Sequence, residues 1–252
     1  MIDQIRGINM TAFDAGIDVP IHAARNGDRR EDARPQVPRR NMSGQVVDYI
    51  KTMIFDGSLI RGQRVPQDQI AKDLGVSRLP VREALIALEA EGLINSEPHR
   101  GSFVVPILRE DIDDHYRIYG MVQGLASRRA ASRITQPTLS RLHELHELMQ
   151  KSDDPDLLHN LNWEFHALIN QTGGSRRLLS VLRQLAKNLP RAVYEAPPGA
   201  SPEANRSHQK MLDALERRDG AAADAASREH VQFEGEYVIA KLKRDGILAD
   251  DA

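Results

Sequence analysis

Two amphipathic segments joined by a tight Gly-Val-Ser turn constrain this chain more than any other feature. In Gln67-Asp68-Gln69-Ile70-Ala71-Lys72-Asp73-Leu74, the residues Ile70, Ala71 and Leu74 fall on one side of a short helix. Gly75 ends that helix, and Arg78-Leu79-Pro80-Val81-Arg82-Glu83-Ala84-Leu85 opens a second, whose Val81, Leu85 and Leu88 can pack against the first. Ser77 is placed to cap the second helix, and Pro80 is tolerated because the first turn leaves amides without intrahelical partners. Helices connected so closely must cross steeply, which is the helix-turn-helix arrangement. Arg78 and Arg82 then stand one turn apart near the start of a reading helix, where guanidinium forks can meet guanine edges or phosphate oxygens in a major groove.

The next residues supply a wing. Gly92 is a helix C-cap, a brief strand runs through Leu93-Ile94-Asn95-Ser96, and Glu97-Pro98-His99-Arg100-Gly101 turns the chain into Ser102-Phe103-Val104-Val105. Arg100 at the tip can lie over phosphates or in the minor groove, and Gly101 allows close backbone approach. The alternative, that Arg78, Arg82 and Arg100 are ordinary solvated charges, does not account for their grouping around one motif. Upstream, Val46, Val47, Ile50, Met53 and Ile54 recur at helical spacing and predict a buttressing helix that ends near Asp56-Gly57. Residues 1–40 combine mixed charge with glycine and proline and read as a flexible arm.

Composition narrows the partner. With 34 Lys plus Arg against 36 Asp plus Glu, the net charge of −2 excludes a broadly basic chain, so any nucleic-acid footprint must be local. An aromatic content of 4% argues against a stacking platform for single strands and favours duplex DNA. The absence of cysteine excludes disulfides and thiolate metal ligands and fits a reducing compartment. No apolar run approaches membrane-spanning length and no secretory segment opens the chain, so a cytoplasmic protein without membrane association is expected.

Beyond Pro106 the pattern is helical, with expected helices near 109–133, 137–150, 155–172, 175–193, 203–218 and 221–244. The expected fold is mainly α: an N-terminal winged helix-turn-helix domain over 41–105, then an all-helical antiparallel bundle over 106–252 for effector binding and dimerisation. Asn162 and His166 share one helical face, and His208 and His230 lie on the last two helices. Three imidazoles and one oxygen donor suit a divalent cation such as zinc or nickel, although the long separations leave dispersed histidines as the alternative. His143 and His146 are expected to be solvated, because Leu142, Leu145 and Leu148 take the apolar stripe.

The run from Gly75 to Leu85, the later Glu91-Gly92-Leu93 and the Arg100-Gly101 wing resemble the GntR family of transcriptional regulators, FadR subfamily, with an FCD-type effector domain. The resemblance spans about residues 41–245. It implies DNA contacts at Ser77, Arg78, Leu79, Arg82, Arg100 and Gly101, with Leu79 standing where threonine is common. It further implies a homodimer on palindromic operator DNA, and a small-molecule effector, often an organic acid, bound beside a metal. Phe165-His166, His208 and His230 match the family's histidine positions, but Asn162 occupies the place of an aspartate. A divalent metal such as zinc, nickel or manganese would therefore meet an amide oxygen instead of a carboxylate. In the effector pocket, Tyr119 and Gln123 stand where relatives carry arginine and glutamate. Two other classes compete with this reading. One is a histidine-metal enzyme, although Glu164 faces away from the side shared by Asn162 and His166; the other is a helical interaction protein that retains a winged module.

Overall fold

In a computed structural model that describes residues 42–189 and 202–249, the described residues fold as eleven elements. Helix α1 (Met42–Phe55) buries Val46, Ile50 and Ile54 at the expected spacing. Helices α2 (Gln67–Asp73) and α3 (Arg78–Ala90) follow, with Gly75 between them at φ +62°, a left-handed conformation that a side chain disfavours. Ser77 takes the N-cap position in an extended conformation, but its side chain makes no capping bond, contrary to expectation. Asp154, Ser175 and Asp219 do cap their helices through side-chain oxygens.

Strands β1 (Ile94–Glu97) and β2 (Gly101–Val104) pair antiparallel, with Ile94 opposite Val104 and Glu97 opposite Gly101. Arg64 adds an isolated antiparallel bridge to Phe103, so the segment before α2 runs beside the wing. Ile70, Val81, Leu85, Leu88, Ile94 and Val104 close the core of this head.

Six helices form the bundle: α4 (Arg109–Arg133), α5 (Gln136–Lys151), α6 (Pro155–Gly173), α7 (Arg176–Lys187), α8 (Pro202–Glu216) and α9 (Gly220–Arg244). α4 lies along α9, α6 packs on α4, and α5 covers α6 and α8. The approach of α4 to α9 needs Gly235, since a Cβ there would come within 2.7 Å of the Tyr116 ring.

Two apolar clusters result. One contains Leu142, Leu145, Phe165, Met211 and Leu212 inside the bundle. The other is continuous from the head into the bundle: Val46, Ile50 and Leu88 share it with Ile112, Tyr116, Val231, Val238 and Leu242. Each large side chain so buried contributes roughly 1.5–3 kcal/mol. The two clusters meet along α9, where Ala226 belongs to the bundle interior and Val231 to the shared core. The arm expected over residues 1–40 lies outside the described residues.

Candidate functional site

The exposed face of the head carries the expected arginines. Arg78 pairs with Asp68 of α2 at 2.8 Å, both side chains largely in solvent, so the pair can exchange its partners at little cost. Arg82 is exposed one turn on, with no ion-pair partner among the described residues. Leu79 is 64% exposed beside them, an apolar side chain held in water at the start of the helix. At the wing, Arg100 pairs with Glu97 and stacks over Phe103, its guanidinium 5.6 Å from the ring centroid. Gly101 has φ +108°, and a Cβ there would meet the Arg64 guanidinium at 2.6 Å. Arg64 is thus a wing cation that sequence reasoning missed; it sits far from the hairpin in sequence, and no periodicity announced its bridge to Phe103.

Lys51 joins this head to the bundle. Its ammonium is almost wholly buried, 2.5 Å from Glu91 at the end of α3, and it donates to the Lys187 carbonyl at the end of α7 at 2.9 Å. His115, near the start of α4, is pushed down to a pKa of about 4 by burial and by the Lys51 charge.

Inside the bundle, α6, α8 and α9 bring His166, His208 and His230 together. Their ring centroids are 5.3, 4.6 and 4.5 Å apart, and one nitrogen from each lies within 4.8 Å of the others. All three are buried, and His208 and His230 are fully so. Burial and the neighbouring His230 push the His166 pKa down to about 3, and burial likewise drives His208 well below the usual histidine value. Three imidazoles packed this closely form a cluster able to coordinate a metal ion.

The hydrogen bonds around the rings set their tautomers. Ser207 Oγ donates to the Ala204 carbonyl at 2.8 Å, so toward His230 Nδ1, at 2.7 Å, it must accept. His230 therefore carries a proton on Nδ1 and turns Nε2 toward Glu234. His166 Nδ1 is 2.8 Å from the Gln123 amide, leaving Nε2 facing His208 Nε2 at 3.3 Å. As placed, the Gln123 Nε2–H donates to Nδ1; only with the amide turned over, its oxygen toward Nδ1, does Gln123 take the Nδ1 proton and leave the lone pair of His166 Nε2 for a metal.

Asn162 lies near the Glu234 carboxylate, and its amide favours the charged form of that group. Its Oδ1 is buried without a hydrogen-bond partner among the described residues, as are His208 Nδ1 and His230 Nε2. Leaving such atoms unmatched costs about 1–3 kcal/mol each, and a cation is one way to satisfy them.

Glu234 was missed by sequence reasoning. It lies one turn beyond His230, buried, with Oε1 3.2 Å from His230 Nε2. The His230-x-x-x-Glu234 spacing is the same i,i+4 signal that connects Asn162 to His166. Burial opposes the charge on Glu234, but His230, His166 and the Asn162 amide outweigh it and hold the carboxyl below its ordinary pKa.

Two expectations come out differently. His146 is buried, not solvated: its Nε2 contacts the Asn205 carbonyl at 3.2 Å and its ring lies edge-on to His208 at 6.0 Å. The buried stripe of α5 is Leu142, Leu145, His146 and Met149, a spacing of three, four and seven, and Leu148 sits at its margin. His143 does reach solvent, with Glu216 at 2.7 Å. Tyr119 packs against the core shared with the head, 6.2 Å from the His115 ring, while Gln123 meets His166. Glu164, as expected, faces away and pairs with Arg141 at 2.8 Å.

Comparison with known proteins bears on both regions. The family described as bacterial regulatory proteins, gntR family, matches residues 42–104, and the FCD domain matches residues 114–233. An uncharacterised HTH-type transcriptional regulator of Mycobacterium tuberculosis is 29% identical over 204 residues, covering 81% of this chain and 84% of the relative. The HTH-type transcriptional repressor RspR of Escherichia coli is 28% identical over 206 residues, covering 80% of this chain and 90% of its own. Among solved structures, McbR/YncC of Escherichia coli superposes with a TM-score of 0.59 at 24% identity, covering 80% of this chain and 98% of that one. A GntR family member from Pseudomonas syringae gives 0.51 at 25% identity, covering 83% and 90%.

Proposed function

We infer the function from the family to which the chain belongs, the GntR regulators that carry an FCD domain: it is a ligand-responsive, sequence-specific DNA-binding regulator of a metabolic operon. Residues 41–105 form the DNA-binding head and 106–252 the effector-binding and dimerisation domain. The observation that carries the DNA reading is the packed α2–α3 pair that leaves Arg78, Leu79 and Arg82 together in solvent. Arg78 and Arg82 read base edges or anchor phosphates, and Arg100 positions the wing. Leu79 meets a thymine methyl where a hydroxyl would have made a polar contact. Two copies of the chain engage the two halves of a palindromic operator, one reading helix per half-site. This work belongs in the cytoplasm, a setting that a chain without cysteine suits.

In the bundle, His166, His208 and His230 hold a divalent metal, of which zinc, nickel and manganese are the candidates. The metal when bound supplies a Lewis-acidic anchor for an anionic oxygen, which makes a small organic acid the effector class. Gln123 and Ser207 fix the ring orientations, and burial favours the neutral, coordinating form of His166 and His208. An effector that binds the two arrangements of the bundle unequally must change DNA affinity, and operator DNA must change effector affinity by the same factor.

The deciding experiment titrates native protein and Arg82→Ala against a duplex selected from a random pool, with circular dichroism and mass as controls for folding and assembly. A loss of about 1–3 kcal/mol, roughly 5- to 150-fold, is expected. Equal affinity of the two proteins rules out Arg82 as a reading residue.

A further inference from the structure

We propose that Arg64, in the segment that precedes α2, is a phosphate anchor of the wing, its guanidinium held over Gly101 and free to meet the operator backbone. The inference rests on the DNA reading above and adds a residue that lies outside both the reading helix and the hairpin.

The segment around Arg64 is laced to the wing by backbone hydrogen bonds. The Gly62 N–H donates to the Val104 carbonyl at 2.9 Å, the Val104 N–H to the Gln63 carbonyl at 3.0 Å, and the Val65 N–H to the Ser102 carbonyl at 2.8 Å. Arg64 lies opposite Phe103 in this ladder. Side chains alternate along β2, with Ser102 and Val104 buried and Gly101 and Phe103 turned outward. Val65 is buried on the inner side, so its neighbour Arg64 shares the outer side with Gly101 and Phe103.

Gly101 leaves room for the guanidinium. A Cβ at this position would stand 2.6 Å from Arg64 Nε, 3.1 Å from Nη2 and 3.3 Å from Cζ. The planar group therefore rests against the strand where another residue would place its side chain. That contact restricts a long side chain before DNA arrives, which lowers the entropic cost of binding.

Charge separates Arg64 from Arg100. The tip arginine lies over Phe103 and is paired with Glu97, so its charge is balanced within the hairpin. Arg64 is exposed and has no ion-pair partner among the described residues, which makes it the unbalanced positive charge of this face. A guanidinium fork with free N–H donors matches the oxygens of a phosphate.

The test titrates native chain, Arg64→Ala, Arg64→Lys, Gly101→Ala and the Arg64→Ala/Gly101→Ala pair against a duplex selected with native protein, at salt concentrations from about 50 to 200 mM. Melting curves confirm that each variant is folded. In Arg64→Ala the slope of log affinity against log salt should fall by about one, so the affinity lost across that salt range shrinks by about 3.5-fold. The effect should be the same on duplexes substituted at single base pairs, and Arg64→Lys should keep the native slope. Gly101→Ala pushes the guanidinium aside and should lower the slope by itself, but not further once Arg64 is alanine. An unchanged slope in Arg64→Ala, with Arg82→Ala still weakened, removes Arg64 as an anchor while the DNA reading stands. A loss that depends on the base pair makes Arg64 a base contact and overturns the phosphate assignment. An equal effect of Gly101→Ala with and without Arg64 means that the glycine admits DNA itself and does not seat the guanidinium. If native chain retains no duplex from the pool, the DNA reading fails and this proposal fails with it.

Discussion

The head and the bundle interior solve opposite problems. Arg78, Arg82 and Arg100 of the head put their charges into solvent from one short stretch of chain, and little else in the fold depends on them. The histidine cluster draws on α4, α6, α8 and α9, and its polar groups are buried among apolar side chains. A charge in solvent can be removed with small effect on folding, whereas a buried donor is tied to its partners by the cost of leaving them unmatched. Substitutions in the head should therefore move DNA affinity and leave stability alone, while changes in or beside the interior should move stability, metal affinity and ligand response together.

The sharpest way to press this contrast is the double change Arg78→Ala with Arg82→Ala. Operator affinity should fall by about 4 kcal/mol, on the order of a thousandfold. The melting temperature should stay within a few degrees of native in differential scanning calorimetry, and a larger drop would show that the reading face also supports the fold. Lys51→Ala tests the junction between the two regions. It removes the partner of Glu91, whose side chain is 27% exposed, and a donor to the Lys187 carbonyl, so a loss of about 2 kcal/mol is expected from denaturant unfolding. The same substitution should reduce the change in operator affinity that effector or metal produces. Equal coupling in native and variant would mean that head and bundle communicate by another route.

Acid should separate the regions next. His115 and His166 have native pKa values of about 4 and about 3, below the unfolded value near 6.5. The unfolded chain therefore takes up protons first, so their contribution to stability is complete above pH 6.5 and lost as pH falls toward those native values. Each costs about 1.4 kcal/mol per pH unit over that interval. Unfolding curves of metal-free protein between pH 7 and 5 should show this loss, and a flat profile would contradict the buried, neutral cluster. The smallest effects belong to the head: Leu79→Thr should shift base preference at one operator position by about 1 kcal/mol or less, seen in a panel of substituted duplexes. Arg100→Ala should lower the slope of log affinity against log salt by about one.

The same contrast explains what could be read from the sequence. The head was legible because its signals are local: Gly75, Gly92 and the Pro98–Gly101 turn punctuate short amphipathic runs. The expected helix over 109–133 coincides with α4, because a long periodic segment ends where proline and a capping threonine intervene. The cluster was only partly legible. The i,i+4 rule linked Asn162 to His166, but nothing in the sequence says that α8 and α9 deliver His208 and His230 to the same point. Glu234 was overlooked because a glutamate on a helix is ordinarily solvated, and His146 was misplaced because Leu148 was given the position on the buried stripe that Met149 holds. Arg64 required a bridge between distant segments. In each case the missing information was tertiary.

The close fit of Gly235 against Tyr116 has a mechanical consequence. With a ring seated where a side chain would be, α4 and α9 are hindered from sliding along one another, so the pair tilts as one stiff lever. Gln123 touches the cluster at one point of that lever, and Arg109 begins it close to the wing. At ~1.5 Å per residue these points are ~21 Å apart, so a tilt of about 3° at the cluster would swing the start of α4 by roughly 1 Å. In a symmetric pair of chains the two swings add, and the gap between reading heads changes by twice that amount.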